Sequence, residues 1–326
     1  MTGDRSQPGE FDLIASVFAP LTDGDERALG LLDDAAVLPQ TEGQDTVVTT
    51  DTMVAGVHFL NIETADVVAR RLLRVNLSDL ASMGAVPVAY FLNLTVPAEI
   101  DESWIRLFTE GLRADHDAFG VRLLGGDTTH SDGPVTLTVT ILGNVDSGSA
   151  IRRSGARPGD DIYVSGTIGD ATLGLQRLQA GAGMEDFLVA RFQRPEPRAQ
   201  LGVALRGLAS AMADVSDGLA SDLGHICQAS NVGADVSSED IPLSESARDS
   251  LARGDADFAD LLSGGDDYEL VFTASPDAAG RVADAARSAQ VAVSRIGRVR
   301  GDSAEVEIRD RDGRQLSLKS PGYRHF

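Results

Sequence analysis

Aspartates recur in this chain beside apolar runs. Asp33 and Asp34 stand in A-L-G-L-L-D-D-A-A, Asp51 in V-V-T-T-D-T and Asp79 in N-L-S-D-L. Asp127 follows in L-L-G-G-D-T-T, and Asp214 and Asp217 in A-D-V-S-D-G-L. Any one of them is explained about as well by a turn or a helix cap as by a ligand role. The recurrence is harder to explain that way. Strand ends are where α/β proteins bind ligands, and carboxylates gathered there repel one another unless cations lie between them. Asp and Thr oxygens, without Cys and with few His, suit Mg²⁺ rather than zinc. The chemistry open to such a set is the joining of two anionic phosphates whose charge is neutralised by protein-held metal.

What the chain lacks narrows this further. It has one lysine, Lys319, so it contains neither a G-x-x-x-x-G-K-[ST] phosphate loop nor the strand lysine of a protein kinase. Phosphates would have to be managed by metals, backbone amides and arginine. One cysteine, Cys227, excludes an internal disulfide and a Cys-based metal site. A formal net charge of −22 with no basic stripe argues against nucleic acid as a partner. No apolar run approaches the ~20 residues that span a bilayer, and Met1 to Glu10 has no signal-peptide core. A cytoplasmic protein with no membrane partner is expected.

The elements that must carry these residues follow from periodicity. Phe11 to Phe18 reads as a short helix. Asp66 to Met83 has helical spacing with Val68, Leu72, Val75 and Leu80 apolar, which places Asp79 partly inside. A buried carboxylate is costly unless paired or coordinated, so Asp79 is a strong ligand candidate. Val88 to Val96 and Val135 to Leu142 read as strands, the second alternating apolar residues with threonine. Glu99 to Phe119 reads as a helix, and Val121 to Leu124 as a strand feeding a G-G-D-T turn whose amides can approach phosphate. The Gly-, Ser- and Arg-rich stretch N-V-D-S-G-S-A-I-R-R-S-G-A-R-P-G-D is the expected linker, giving domains 1–146 and 147–326. Beyond it come strands at Asp161 to Ser165, A-D-V and E-L-V-F-T. They alternate with helices at Pro197 to Ala211, Asp217 to Ala229 and Pro276 to Ala289. Two α/β or α+β domains are expected.

Other residues carry weaker signals. Asp217 is either a helix cap or a metal ligand beside bound phosphate. His58 in G-V-H-F is more often a packed residue than a catalyst. Arg152 and Arg153 could meet phosphate, although linker arginines are usually solvated. S-G-G-D-D-Y-E-L (Ser263 to Leu270) is another glycine turn with paired acids, and G-Y-R-H-F closes the chain with aromatics that are expected to dock. No Ser or Cys nucleophile has a His partner. A phosphate-monoester acceptor has a second pKa of about 6 and is already a dianion at neutral pH, so no general base is required.

Taken in order, D-D-A-A, T-T-D-T-M-V-A-G-V-H-F, N-L-S-D-L-A-S-M-G-A-V-P, G-G-D-T-T, R-S-G-A-R-P-G-D, D-V-S-D-G-L, S-G-G-D-D-Y-E-L and G-Y-R-H-F resemble the bacterial thiamine-monophosphate kinases over essentially the whole chain. The resemblance implies ATP-dependent conversion of thiamine monophosphate to thiamine diphosphate with several Mg²⁺. It also implies a two-domain fold like that of aminoimidazole ribonucleotide synthetase, in which the N-terminal domains pair through a β-barrel as a homodimer. It places Mg²⁺ on Asp34, Thr49, Thr50, Asp51, Asp79, Asp127, Asp214 and Asp217. ATP falls on Thr109, Gly126, Asp127, Arg153 and Ser216, and thiamine monophosphate on His58, Asp266 and Tyr323. Two positions depart from the family pattern: Leu32 stands where Gly usually precedes the Asp pair, and Asp266 where Glu is usual. Thr109 stands where relatives often carry an aromatic. Aminoimidazole ribonucleotide synthetase and a non-catalytic metal- or nucleotide-binding protein are the alternatives. Selenophosphate synthetase is disfavoured because it needs a reactive N-terminal Cys or selenocysteine.

Overall fold

Strict alternation of apolar residues and threonines makes the stretch after Pro134 a half-buried strand. In the computed structural model Leu137, Val139 and Ile141 are fully buried, while the residues between them are half-exposed. The structure describes residues 13–32, 35–36, 38–301, 305–318 and 322; Asp34 and Tyr323 lie outside them. The chain divides into two units, one of residues up to Leu77 with Pro87–Asn144, the other of Ser78–Val86 with Val145 onward.

The first unit holds β1 (Gln44–Val54), α1 (Ala65–Ser82), β2 (Val86–Val96), α2 (Glu102–Phe119), β3 (Arg122–His130) and β4 (Thr136–Asp146). The last turn of α1 belongs to the second unit. The four strands form one sheet in the order β1-β4-β2-β3. It is open, and no closed barrel is present among the described residues. Asp101 caps α2 by accepting from the Trp104 N–H, and Gly120 ends it in a left-handed turn.

The G-G-D-T segment is not a turn. β3 runs through it, pairing parallel to β2 with Gly126 opposite Leu92 and Asp127 opposite Asn93, past a bulge between Tyr90 and Phe91. Gly126 is needed for this pairing, because a Cβ there would stand 1.9 Å from the Leu92 carbonyl oxygen. Its lack of a side chain serves the sheet first. Gly126→Ala is therefore expected to cost roughly 1–3 kcal/mol. A thermal melt checks this, and an unchanged melt would mean that the β2/β3 pair opens without cost.

The second unit is built on a six-stranded mixed sheet in the order β10-β7-β9-β5-β8-β6. Its strands are β5 (Asp161–Ser165), β6 (Ala209–Asp214), β7 (Gly233–Ser237), β8 (Leu270–Ala274), β9 (Val293–Arg300) and β10 (Val306–Arg309). Its main helices are α3 (Asp170–Gln179), α4 (Leu219–Ser230) and α5 (Ala279–Ala289). Every residue of β5 and β8 is buried, as expected of central strands covered on both faces. Ile162, Val164 and Val271 pack in the core with Leu223 and Ile226 of α4, whereas Tyr163 and Phe272 pack in another with Val282 and Ala285 of α5.

A further sequence expectation is corrected here. The helix expected over Pro197 to Ala211 stops at Ala204, and the backbone turns through Gly207 (φ +68°) into β6. The Arg-rich stretch begins at the boundary between the units and is tied to the second one. Met212 N–H donates to Arg152 O at 2.9 Å, and Ser230 Oγ accepts from Gly155 and Ala156 N–H at 3.0 and 3.1 Å.

Candidate active site

In the first unit Asp51 lies inside β1 rather than at its end. Side chains alternate between strand faces, so Thr49, Asp51 and Met53 share the inward face and Thr50 and Thr52 point the other way. β4 takes up those outward hydroxyls. Thr50 Oγ1 donates to Val139 O at 3.0 Å and lies 3.0 Å from Thr140 Oγ1, while Thr52 and Thr138 hydroxyls lie 2.8 Å apart. Thr49 and Asp51 share one face, and the Thr50 hydroxyl is engaged in the sheet on the other. Asn76 of α1 accepts from the Asp51 N–H at 3.1 Å and donates to Leu72 O at 2.9 Å, which pins this part of β1 to the helix.

After β1 the chain turns at Gly56 (φ +80°), and His58 Nδ1 accepts from the Val54 N–H at 3.1 Å. An accepting nitrogen carries no proton, so the neutral ring's proton sits on Nε2. The bond to Val54 holds the His58 ring in place.

Asp127 is exposed on β3 and lines a cavity of about 570 Å³ with Gly126, Thr128 and Asn93 against an apolar wall that includes Phe18, Leu31 and Phe91. That volume and lining are typical of small-molecule sites, which span roughly 300–1,000 Å³. Leu32 and Ala35, the residues on either side of the Asp33–Asp34 pair, line it too. Thr109 does not join this site. It is 8% exposed in α2 and donates its hydroxyl back to Arg106 O at 2.8 Å.

In the second unit Asp214 ends β6 and is 2% exposed. Ser78 Oγ, from the last turn of α1, donates to its Oδ2 at 2.8 Å. Burial pushes the Asp214 carboxyl well above the usual range, and the Asp79 charge pushes it further, with Arg153 opposing. Asp79 itself is half-buried, as its helical position implies. Asp222 is pushed up to about 7, mainly by burial and then by the charge of Asp217.

The cap reading of Asp217 fails. Gly218 is the N-cap of α4 and has no side chain, while Asp222 Oδ2 reaches back to accept from the Asp217 and Gly218 N–H groups at 3.0 and 3.1 Å. Asp217, Asp222 and His225 have ligand atoms within 4.8 Å of one another. Asp222 and His225 were missed from sequence, although their i, i+3 spacing places them on one helix face.

The acids of this unit, Asp79, Asp214, Asp217 and Asp222, offer hard oxygens that are partly buried and repel one another, which fits Mg²⁺. Arg153 is exposed and opposes the charges of Asp214 and Asp222. Ser216 O accepts from the Asp266 N–H at 2.8 Å, so the S-G-G-D-D-Y-E-L loop lies against D-V-S-D-G-L. Gly322, the residue before Tyr323, packs against Ser221 and the Asp217 carbonyl.

Residues 32–145 match the family model of AIR synthase related protein, N-terminal domain, and residues 157–309 that of its C-terminal domain. The chain is 47% identical over 311 residues to the thiamine-monophosphate kinase of Caulobacter vibrioides, covering 94% of this chain and 88% of that one. The crystal structure of thiamine-monophosphate kinase from Stenotrophomonas maltophilia K279a superposes with a TM-score of 0.83 at 42% identity, over 92% of this chain and 98% of that one. The structure of AaThiL complexed with AMPPCP and TMP gives 0.78 at 28% identity, over 98% and 97%. The architecture is the mixed α/β, two-domain AIR synthase-like fold.

Proposed function

The chain belongs to the thiamine-monophosphate kinase family, and from that premise we propose that it transfers the γ-phosphoryl of ATP to thiamine monophosphate, making thiamine diphosphate. The observation in the molecule that carries this reading is the acid cluster of Asp79, Asp214, Asp217 and Asp222, in which burial and neighbouring carboxylates raise Asp214 and Asp222 together. Asp34, Thr49, Asp51, Asp79, Asp127, Asp214 and Asp217 would hold several Mg²⁺, Thr50 contributing through its backbone. When bound, Mg²⁺ supplies the charge neutralisation that lets two phosphate groups approach.

The remaining roles fall to the chain's own groups. Asp127 and Gly126 bound a cavity of the first unit that would take the nucleotide, and Arg153 and Ser216 are the ATP contacts that the family resemblance implies in the second unit. His58, its ring held through Nδ1 by the Val54 N–H, would contact thiamine monophosphate. Asp266 and Tyr323 would hold the thiamine moiety, a flat heteroaromatic that suits aromatic stacking. No protein nucleophile or general base is assigned, because the acceptor phosphate is already a dianion at neutral pH. ADP release measured against a panel of phosphorylated acceptors tests the reading. Thiamine monophosphate should stand well above all others, and equal rates across the panel would overturn it.

We also propose a homodimer formed through the first unit. β1 and β3 are the edges of its sheet, and an eleven-residue edge with Val48 58% exposed leaves a long row of pairable backbone groups. Light scattering at micromolar concentration should give twice the 34.3 kDa chain mass; a monomer would contradict the pairing.

A further inference from the structure

Between Gly264 and Leu270 the backbone takes an unusual course. Gly265, Asp266 and Tyr268 all have positive φ, at +73°, +63° and +50°. For Asp this is tolerable, but for an aromatic residue it is a genuine outlier. Such conformations persist only where the surroundings over-determine them, and they gather at functional sites. Side chains along the loop alternate, with Asp267 and Glu269 buried and Asp266 and Tyr268 half-exposed.

The two buried acids are anchored from below. Asp267 is 2% exposed and accepts from Gly169 N–H at 2.7 Å and Ala171 N–H at 3.1 Å, both at the head of α3. Glu269 accepts from Arg191 at 2.8 Å, Arg198 Nε at 2.7 Å and Ser165 Oγ at 2.6 Å. From the side, Asp266 and Tyr268 N–H donate to Ser216 O and Val215 O, each at 2.8 Å. A Cβ at Gly166 would stand 2.1 Å from Glu269 Oε1, so the room for this anchor is built by a glycine. The mechanism above uses neither Asp267 nor Glu269.

We propose that Asp267 is a positioning residue. By tying the loop to the head of α3 it holds Asp266 in its left-handed conformation, with the Asp266 carboxylate turned to thiamine monophosphate. This rests on the substrate-contact reading of Asp266. Asp266 is one methylene shorter than the family's usual Glu, so its reach depends more on where its backbone is held.

Two measurements separate the anchor from the contact. Hydrogen exchange of the Asp266 and Tyr268 amides reads the anchor without turnover. Asp267→Ala should speed both by about tenfold or more while the α5 amides stay unchanged. Asp267→Asn, which keeps the shape and one acceptor, should lie between and serves where the alanine variant does not fold. Unchanged exchange at the two amides would overturn the proposal.

Kinetics read the contact. Asp267→Ala should raise KM for thiamine monophosphate about tenfold or more and leave KM for ATP within about twofold. In an Asp266→Ala background it should have no further effect, because it acts through Asp266. Additive losses, or equal effects on both substrates, would overturn the positioning role. Faster exchange together with a kinetically silent Asp266→Ala would instead overturn the contact reading while leaving the anchor in place.

Discussion

Asp214→Asn is expected to lower turnover by roughly 10²–10³-fold, the loss typical of removing one pre-placed electrostatic group, while the metal-free protein becomes more heat-stable. Both effects come from the same carboxylate. It is buried at the end of β6, accepts from Ser78 Oγ, and faces the charge of Asp79. Asparagine keeps an acceptor for Ser78 but cannot take on the negative charge that burial and Asp79 make unfavourable there. Asp79→Asn should act in the same direction. Turnover assays paired with melts in chelator test this. A large fall in the metal-free melting temperature would make these residues structural, and retained turnover would remove them from the metal set.

Mg²⁺ is expected to stabilise the protein far more at pH 8 than at pH 5.5, and its removal should abolish activity. Asp222 is raised from 3.8 to about 7 and Asp214 is raised as well, so the folded state holds these protons more tightly than the unfolded chain. The Asp222 contribution to stability is complete below the ordinary carboxylate pKa and is lost as pH rises through about 7; that of Asp214 has the same sign. At pH 8 the Asp222 carboxyl is ionised, and a cation relieves its repulsion with the neighbouring acids. At pH 5.5 it must first displace protons. Saturation at 100 times Kd contributes about 2.7 kcal/mol, which at roughly 2–4 °C per kcal/mol is a rise of about 5–10 °C. Melting curves with chelator and with Mg²⁺ at both pH values measure the difference. Equal increments would mean that these raised acids do not hold the ion.

Most of this was legible in the sequence because apolar periodicity and strand alternation are local. β4 and α1 follow directly from residue spacing. The errors arose where partners distant in sequence decide the conformation. G-G-D-T looks like a turn in isolation, yet Gly126 is there to let the Leu92 carbonyl approach. Pro197 to Ala211 has helical composition, but pairing with β8 draws Ala209–Asp214 into a strand. Asp217 looks like a cap, but Asp222 supplies the cap one turn later. Thr49, Thr50 and Asp51 look equivalent as ligands until the strand period sets Thr50 on the opposite face. Asp267 and Glu269 gave no signal, because their partners at Gly169, Ala171, Arg191 and Arg198 are 71 to 98 positions away.

The central claim is direct, cation-assisted transfer from ATP to thiamine monophosphate. Its most direct test is to incubate the enzyme with γ-³²P-ATP and Mg²⁺, with and without thiamine monophosphate, and follow the label. The expected result is label in thiamine diphosphate in equal amount to ADP, only when both thiamine monophosphate and Mg²⁺ are present, with none on the protein. Labelled protein that forms from ATP alone and is chased into product, or label released only as inorganic phosphate, would contradict it.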